Sequence, residues 1–199
     1  MSQKSNRINV KNLVYCVMTS DNSMGVSYDT VKDLAKAMTI EVTPAQATGV
    51  LYGDGSQQEN IAKLTGIATK LEVNKIAIED RAVILGHKYE NGVLIKSASD
   101  EAPYIAMGYK VEGTNNYAEY VWLLKGRAQE ISSSVQQQND KINFSTDILN
   151  INFIPRDYDD FIEFDADTAN ENFTDTQAEK WFENGPESYP LPNTEPVEP

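Results

Sequence analysis

The 199-residue chain has one cysteine, Cys16, and one histidine, His87. A single thiol cannot close a disulfide within the chain, and a single imidazole cannot supply the clustered ligands of a typical zinc site. Long apolar runs are also missing. No stretch approaches the roughly 20 residues of a membrane-spanning helix, and the start MSQKSNRINV lacks the apolar core of a signal peptide. We therefore expect one soluble domain made in the cytoplasm and stabilised by its apolar core.

Basic residues are almost absent from the last part of the chain. Residues 157–199 contain 13 acidic residues and one base, Lys180, whereas residues 1–156 contain 17 acidic and 16 basic residues. The total charge of −13 argues against binding nucleic acid through phosphate contacts, which require Lys and Arg. Five of the eight prolines lie in 186–199, so we expect a folded domain over 1–185, with an acidic part at 157–185, followed by a disordered tail.

Alternation of apolar residues predicts a domain made mainly of β-strands. Strands are expected at 8–18, from about Ala37 to Pro44, and at 66–73, 104–112, 117–130 and 142–154, with a hairpin whose Asn91-Gly92 turn joins 88–89 to 93–96. Helical spacing from Asn74 to a stop at Gly86 predicts one helix, and 176–184 could form a second short one. The expected fold is a β-sandwich or barrel with one flanking helix.

The stretch 45–65 between two predicted strands is unusually long for a hairpin connection. It holds an apolar Val50-Leu51-Tyr52 and a glycine-rich tip, Gly53-Asp54-Gly55. An apolar triad on a projecting loop has no core of its own to enter. The sequence therefore predicts an arm that becomes ordered only when it packs against an adjacent subunit.

Motifs for catalysis or metal binding fail on closer reading. An EF-hand loop starting at Asp165 would have Ala169, Asn170 and Thr176 where calcium ligands or glycine are required. Cys16 lies in an apolar strand without a base, and His87 follows the helix stop, where a turn role is expected. Asp21, Asp54, Glu59 and Glu72 could in principle include a carboxylate pair, but nothing in the sequence brings two of them together. Neither an enzyme activity, a cofactor nor a metal is expected.

Several segments, taken in order, resemble the major tail proteins of long-tailed bacteriophages with non-contractile tails, in particular the phi13-type family. They are VKNLVYCVMT (10–19), MTIEVTPAQATGVLYGDG (38–55), ILGHKYENGVLIK (84–96), APYIAMGYK (102–110), YVWLLKGR (120–127) and KINFSTDILNINFIPRD (141–157). The resemblance covers about residues 8–185.

The resemblance implies a structural virion protein with the phage tail tube type of β-sandwich. Its expected partners are copies of itself in hexameric rings that stack into a tube, together with tape measure, tail tip and tail terminator proteins. DNA would be passing cargo, and the protein would reside in the virion tail after assembly in the host cytoplasm. Because phosphate contacts would retard DNA, we expect acidic residues in the lumen, with Glu41, Asp54, Glu59 and Glu72 as candidates.

Two other functions remain open at this point. One is the tube of a type VI secretion or contractile injection apparatus, which would convey proteins. The other is a β-sandwich module for carbohydrate that uses surface aromatic residues such as Tyr89, Tyr104 or Trp122.

Overall fold

The computed structural model describes residues 5–53, 56–133 and 145–187, which form the following elements. The strands are β1 (Arg7–Asn22), β2 (Gly25–Tyr28), β3 (Lys32–Asp33), β4 (Ala37–Gly53), β5 (Ser56–Val73), β6 (Lys88–Glu90), β7 (Val93–Ile95), β8 (Tyr104–Gly113), β9 (Ala118–Ala128), β10 (Ser132–Ser133), β11 (Asp147–Phe153) and β12 (Glu163–Asp167). The helices are α1 (Ile78–Leu85) and α2 (Asp175–Lys180). The protein is mainly β, as expected.

One antiparallel sheet of ten strands forms most of the domain. Its main order is β2-β1-β8-β9-β11-β5-β4; β3 pairs with β1, β10 with β11, and β12 with β9. The edge of β9 opposite β8 pairs with two strands, with β12 along residues 119–123 and with β11 along residues 126–128. The sheet folds over itself into a β-sandwich with α1 at its flank, while β6 and β7 form a separate hairpin.

The main core lies between the layer β1-β8-β9 and the layer β11-β5-β4. Buried residues of both layers meet there with α1, among them Tyr15, Leu71, Met107, Leu123 and Ile151. Alternate residues of β1 point to opposite faces, and Val14 and Cys16 lie in a second cluster on the other face. Strand β1 is thus buried on both sides, as its double apolar pattern predicts.

The second cluster is covered by the acidic C-terminal part of the chain. Phe173, Trp181 and Phe182 pack over Tyr120 and Trp122 of β9 in tilted and edge-to-face contacts, and Phe164 packs on the same cluster. The indole Nε1 of Trp122 donates a hydrogen bond to the carbonyl oxygen of Trp181 at 2.9 Å. The aromatic pair predicted to dock from a short helix at 176–184 does so, next to α2.

Two buried cations fasten this cover to the central layer. Lys125 Nζ donates to the carboxylates of Asp21 (2.7 Å) and Asp157 (3.0 Å). Arg156, which is 1% exposed, forms an ion pair with Asp159 and donates from Nη1 to the carbonyl oxygen of Pro186 at 2.7 Å. Described structure therefore extends to Glu187, slightly past the predicted start of the tail at 186, and residues 188–199 lie outside the described ranges.

Strand β4 does not end at Pro44, which corrects the sequence prediction. It continues to Gly53 and pairs with β5 along its whole length, so most of the expected loop 45–65 is a two-stranded ribbon. Pro44 is tolerated because β4 is an edge strand, where a missing N–H need not break a ladder hydrogen bond.

Other boundaries also differ from the sequence expectation. Helix α1 starts at Ile78 and not at Asn74, whose side-chain oxygen instead accepts a hydrogen bond from the Lys36 N–H (3.2 Å). The helix stop is confirmed, since Gly86 has φ 71°. Four strands lie outside the predicted ones: β2 in the stretch predicted as a polar connector, β12 in the predicted acidic loop, and the two-residue strands β3 and β10. Local sequence patterns do not reveal β2 and β12, which form because β1 and β9 each provide a hydrogen-bonding edge.

We expect Arg156→Ala to lower the free energy of unfolding by about 3 kcal/mol or more, because it leaves the partly buried Asp159 carboxylate without its cation. Urea unfolding followed by tryptophan fluorescence measures the loss. Lys88→Ala is the control, because its side chain is 63% exposed and that of its partner Glu90 is 55% exposed, so the change should cost at most about 1 kcal/mol. Equal losses in the two variants would contradict the anchoring role of Arg156.

Candidate functional site: a projecting arm, a polar face and a cleft

Strands β4 and β5 extend beyond the sandwich as a two-stranded arm, defined here as residues 46–53 and 56–64. Strand β11 pairs with β5 only from Ile67 to Val73, so no further strand among the described residues lies beside the arm. Every arm residue whose exposure is described, 46–50 and 59–64, is exposed. Eight residues of strand give the arm a length of about 26 Å.

A bulge at the root of the arm determines which side chains share a face. Ala45 pairs with Gly66 and Gln46 with Leu64, which leaves Thr65 as an extra residue on β5. Gly66 allows a close approach here, because a Cβ atom would lie 2.6 Å from the carbonyl oxygen of Phe153. Beyond the bulge the pairing is regular as far as Leu51 and Glu59.

One face of the arm continues the core-facing side of the sandwich. Ile40 and Val42 of β4 pack on the main core, and the same side of β4 carries Gln46, Thr48 and Val50 further out. Their partners are Leu64, Ala62 and Asn60. Val50 and Leu64 are 46% and 42% exposed. The apolar surface of the core-facing side therefore continues onto the arm, where no described residue covers it.

The opposite face of β4-β5 carries most of the predicted lumen acids. Glu41, Glu72 and Glu59 lie on it together with Lys70 and Lys63, as the register shows. Glu41 forms an exposed ion pair with Lys70 at 3.8 Å, and Glu72 accepts a hydrogen bond from Thr146 at 2.9 Å. Three acids and two bases make this face only weakly negative.

Four of the six residues predicted for the inter-subunit loop lie on the arm, and two lie outside the described structure. Val50 is on the core-side face, and Leu51, Tyr52 and Gly53 continue β4 to its end. Asp54 and Gly55, the tip, lie outside the described residues. Two apolar residues outside the predicted set, Ile61 and Leu64, add to the exposed apolar surface of the arm. No pattern in 59–64 singles them out, because Ile61 and Leu64 are three residues apart and lie on opposite faces of the arm.

A cleft of about 520 Å³ opens between β4 and the ends of β1, β8, β9 and β12. Its floor is apolar and includes Val10, Ile40 and Val121, and its rim carries Ile8 (67% exposed) and Met38 (57% exposed). The opposite wall is acidic, with Glu119, Glu163 and Asp165. Nothing in the sequence predicted this cleft, because its walls come from five strands that are distant along the chain.

The acidic wall is only partly neutralised. Arg7 forms an ion pair with Glu119 at 2.6 Å, and Tyr117 donates its hydroxyl proton to the same carboxylate at 2.9 Å. Desolvation within the cleft raises the pKa of Glu163 and of Asp165. The charge of Asp165 raises the pKa of Glu163 further, and that of Glu119 does the same for Asp165. Glu163 and Asp165 have no ion-pair partner among the described residues.

The groups considered for chemistry are dispersed or occupied. Asp21 is bound by Lys125, whereas Glu59 lies on the arm and Glu72 on the outer face of β5, so the structure does not bring these carboxylates together. Burial raises the pKa of the Cys16 thiol to about 12. Asp165 and Asp167 belong to β12, and Asp167 accepts the backbone N–H groups of Ala169 and Asn170, so no calcium loop forms there.

The ring of His87 has a role that the sequence did not indicate. Its Nδ1 lies 2.8 Å from Asp100 and its Nε2 lies 2.8 Å from Glu130, while its backbone N–H donates to the carbonyl oxygen of Ala82 at 2.9 Å. His87 thereby joins the end of α1, the loop after β7 and the end of β9. The expected turn role accounts only for the backbone contact.

The described ranges contain no helix long and apolar enough to cross a membrane. They also contain no group of three or more His, Cys, Asp or Glu side chains suited to a metal ion. Comparison with protein-family models and with curated proteins finds no match for this chain.

We expect Asp165→Asn to raise the melting temperature at pH 7 by up to a few degrees, because it removes a charge that the folded state holds unfavourably. The pKa of Asp165 is higher in the folded protein than in the unfolded chain, where it is about 3.9. Its charge therefore does not destabilise the fold below that pH, and the destabilisation develops as the pH rises through the folded pKa. The advantage of the variant should therefore disappear near pH 3.

Thermal unfolding of both proteins between pH 3 and pH 7 tests this. Asp33→Asn, at an exposed site on β3 outside the cleft, is the control and should show no such trend. A variant less stable than the wild type at pH 7 would show that Asp165 has a stabilising partner.

Proposed function

We propose that this protein is a structural subunit that assembles with copies of itself into stacked rings forming a phage tail tube, through which DNA passes. The observation that carries the proposal is the arm. It presents apolar residues on the continuation of a core-facing sheet surface, and a two-stranded ribbon alone is at best marginally stable in water. Such a surface gains its stability from another molecule.

The ordered set of segments that resembles the phi13-type tail proteins supports the same proposal. Under it, the copies form hexameric rings, the arm reaches a neighbouring copy, and the tube ends on tape measure, tail tip and tail terminator proteins. The place of action is the virion tail.

We assign to the channel wall the part of the weakly negative β4-β5 face that lies within the body, with Glu41, Lys70 and Glu72. Besides its charged residues, the adjoining part of this layer presents Asn150, Asn152 and Gln129. This surface presents amide and hydroxyl groups and few unpaired cations. DNA therefore finds no row of phosphate contacts there and can move past. Low affinity for the cargo is the property that a conduit requires.

The alternatives receive less support from the described residues. A carbohydrate-binding surface could not use Trp122, because this residue is 2% exposed and covered by Phe182. Tyr104 already has Lys125 and Arg127 against its ring. The tube of a type VI secretion or contractile injection apparatus would assemble in the same way but convey proteins. DNA in purified particles would therefore favour the phage tail tube over the injection apparatus.

Replacing Gln46–Thr65 with Asn-Gly should leave the monomer folded and abolish tube formation. Ala45 and Gly66 are paired, so a two-residue turn can join them while the sandwich keeps its strands. Circular dichroism measures the fold, and electron microscopy of concentrated protein measures the tubes.

A point variant sharpens this test. Ile61→Ser with Leu64→Ser should reduce assembly, whereas Met24→Ser, which removes a still more exposed apolar side chain in the β1-β2 turn, should not. Normal tubes from the shortened protein would exclude the arm as an assembly element, and wild-type protein that never forms rings or tubes would contradict the proposed function.

The soluble wild-type subunit should not retain duplex DNA at about 0.15 M salt, because its 17 basic residues are outnumbered by 30 acidic residues. Changing Glu41, Glu59 and Glu72 to Lys would align five bases on one face with Lys63 and Lys70, and salt-sensitive retention should appear in a gel-shift assay.

The matched control changes three exposed acids elsewhere, Glu90, Glu101 and Glu183, to Lys, which produces the same net charge. We expect its DNA affinity to be at least about tenfold lower, since its bases are not in one row. Retention of DNA by the wild type would contradict the assignment of this face to the channel.

A further inference from the structure

We propose that the acidic cleft of one subunit is the receptor for the arm of a second subunit, with residues 60–64 of the arm seated in it. This inference rests on the proposed function for the role of the arm and adds the surface that receives it. Four features of the described residues lead to it: open strand edges, unpaired acids, exposed apolar residues at the rim, and the positions of arm and cleft on the same strand.

Two unpaired strand edges line the cleft. Among the described residues, Arg7–Val10 pair only with β8, and Met38–Val42 pair only with β5. Consecutive residues of both segments line the cleft, so backbone N–H and C=O groups are available for an added strand. Extended segments bind to such edges by main-chain hydrogen bonds, with side-chain pockets giving specificity.

The charge of the cleft selects a basic occupant. Arg7 forms its ion pair with Glu119 and lowers the pKa of Glu163 and of Asp165 only through longer-range attraction, so neither of these two acids has an ion-pair partner in the described part of the chain. The described arm residues carry one base, the exposed Lys63. Glu59 lies on the same face nearer the tip, but Met38–Val42 span only about 16 Å, the length of five strand residues. A segment of that length, 60–64, includes Lys63 and leaves Glu59 at the margin.

The apolar residues match as well. Ile8 and Met38 are exposed at the rim of the cleft, and Ile61 (57% exposed) and Leu64 are exposed on the arm. Pairing the free edge of residues 60–64 with either of the two cleft edges would bring Ile61, which shares its face with Lys63, against Ile8 and Met38, while Leu64 lies on the other face of the arm. Burial of such area provides the favourable free energy, while Lys63 opposite Glu163 and Asp165 fixes the register.

The positions of arm and cleft favour a repeating contact. The cleft is lined by the first part of β4, and the arm is formed by its last part. Arm and receptor are thus different surfaces of one subunit, and each copy can offer an arm to one neighbour while receiving an arm from another. Such heterologous contacts continue from copy to copy and do not close on a pair.

Two full-length charge variants test the contact. Lys63→Glu should impair the arm but not the cleft, and Glu163→Lys with Asp165→Lys should impair the cleft but not the arm. Each alone should assemble at least about tenfold less well than the wild type, as measured by analytical ultracentrifugation and electron microscopy. An equimolar mixture should recover assembly, because each reversed arm meets a reversed cleft and each native arm a native cleft.

Lys70→Glu is the matched control, since it changes the same face of β5 within the body, and it should assemble like the wild type. Circular dichroism verifies folding. Should a reversed variant misfold, Lys63→Gln and the pair Glu163→Gln with Asp165→Asn provide the same comparison, with partial losses expected from each and no loss from Lys70→Gln.

Wild-type assembly from both single-sided variants, or no recovery in the mixture, would overturn the inference and leave the proposed function intact. Association of the wild type that depends on Lys63, Glu163 and Asp165 but yields no hollow tubes would support the inference and contradict the proposed function. The two failures are therefore distinguishable in the same set of samples.

Discussion

The central layer β1-β8-β9 is apolar on both faces, and the rest of the structure depends on covering both. The β11-β5-β4 layer and α1 cover one face, and the C-terminal part from Asp157 to Glu187 covers the other. The second cover carries most of the chain's negative charge, so its attachment requires specific contacts. Aromatic packing on Trp122 supplies apolar area, and Lys125 and Arg156 pair with carboxylates that would otherwise repel one another.

The same strands that close the core also produce the exposed surfaces. Strand β4 packs on the main core through Ile40 and Val42, borders the cleft along its free edge, and then leaves the body as one side of the arm. The acidic wall of the cleft arises because β12 takes the place of β11 along β9 and sets Glu163 and Asp165 on the inner side. Assembly surfaces and stability are therefore linked through β4 and β9.

Much of the fold could be predicted from local patterns, and the misses have physical causes. Two-sided apolar alternation identified β1, Asn91-Gly92 identified the β6-β7 turn, and Gly86 identified the end of α1. Pro44 was read as a strand end, although at a sheet edge its missing N–H has little cost. Strands β2 and β12 are polar, and they exist because β1 and β9 provide hydrogen-bonding edges for them.

By itself, the sequence determined the class of fold, the concentration of negative charge after Arg156, and the presence of an unusual segment between Pro44 and Gly66, because composition and periodicity are local properties. Only the tertiary structure decided that this segment is a ribbon with two distinct faces, since the bulge at Thr65 and the register of β4 on β5 assign each side chain to a face. It also decided the cleft. Arg7, Met38, Glu119 and Asp165 share it because the sheet folds over itself, and no local pattern encodes that closure.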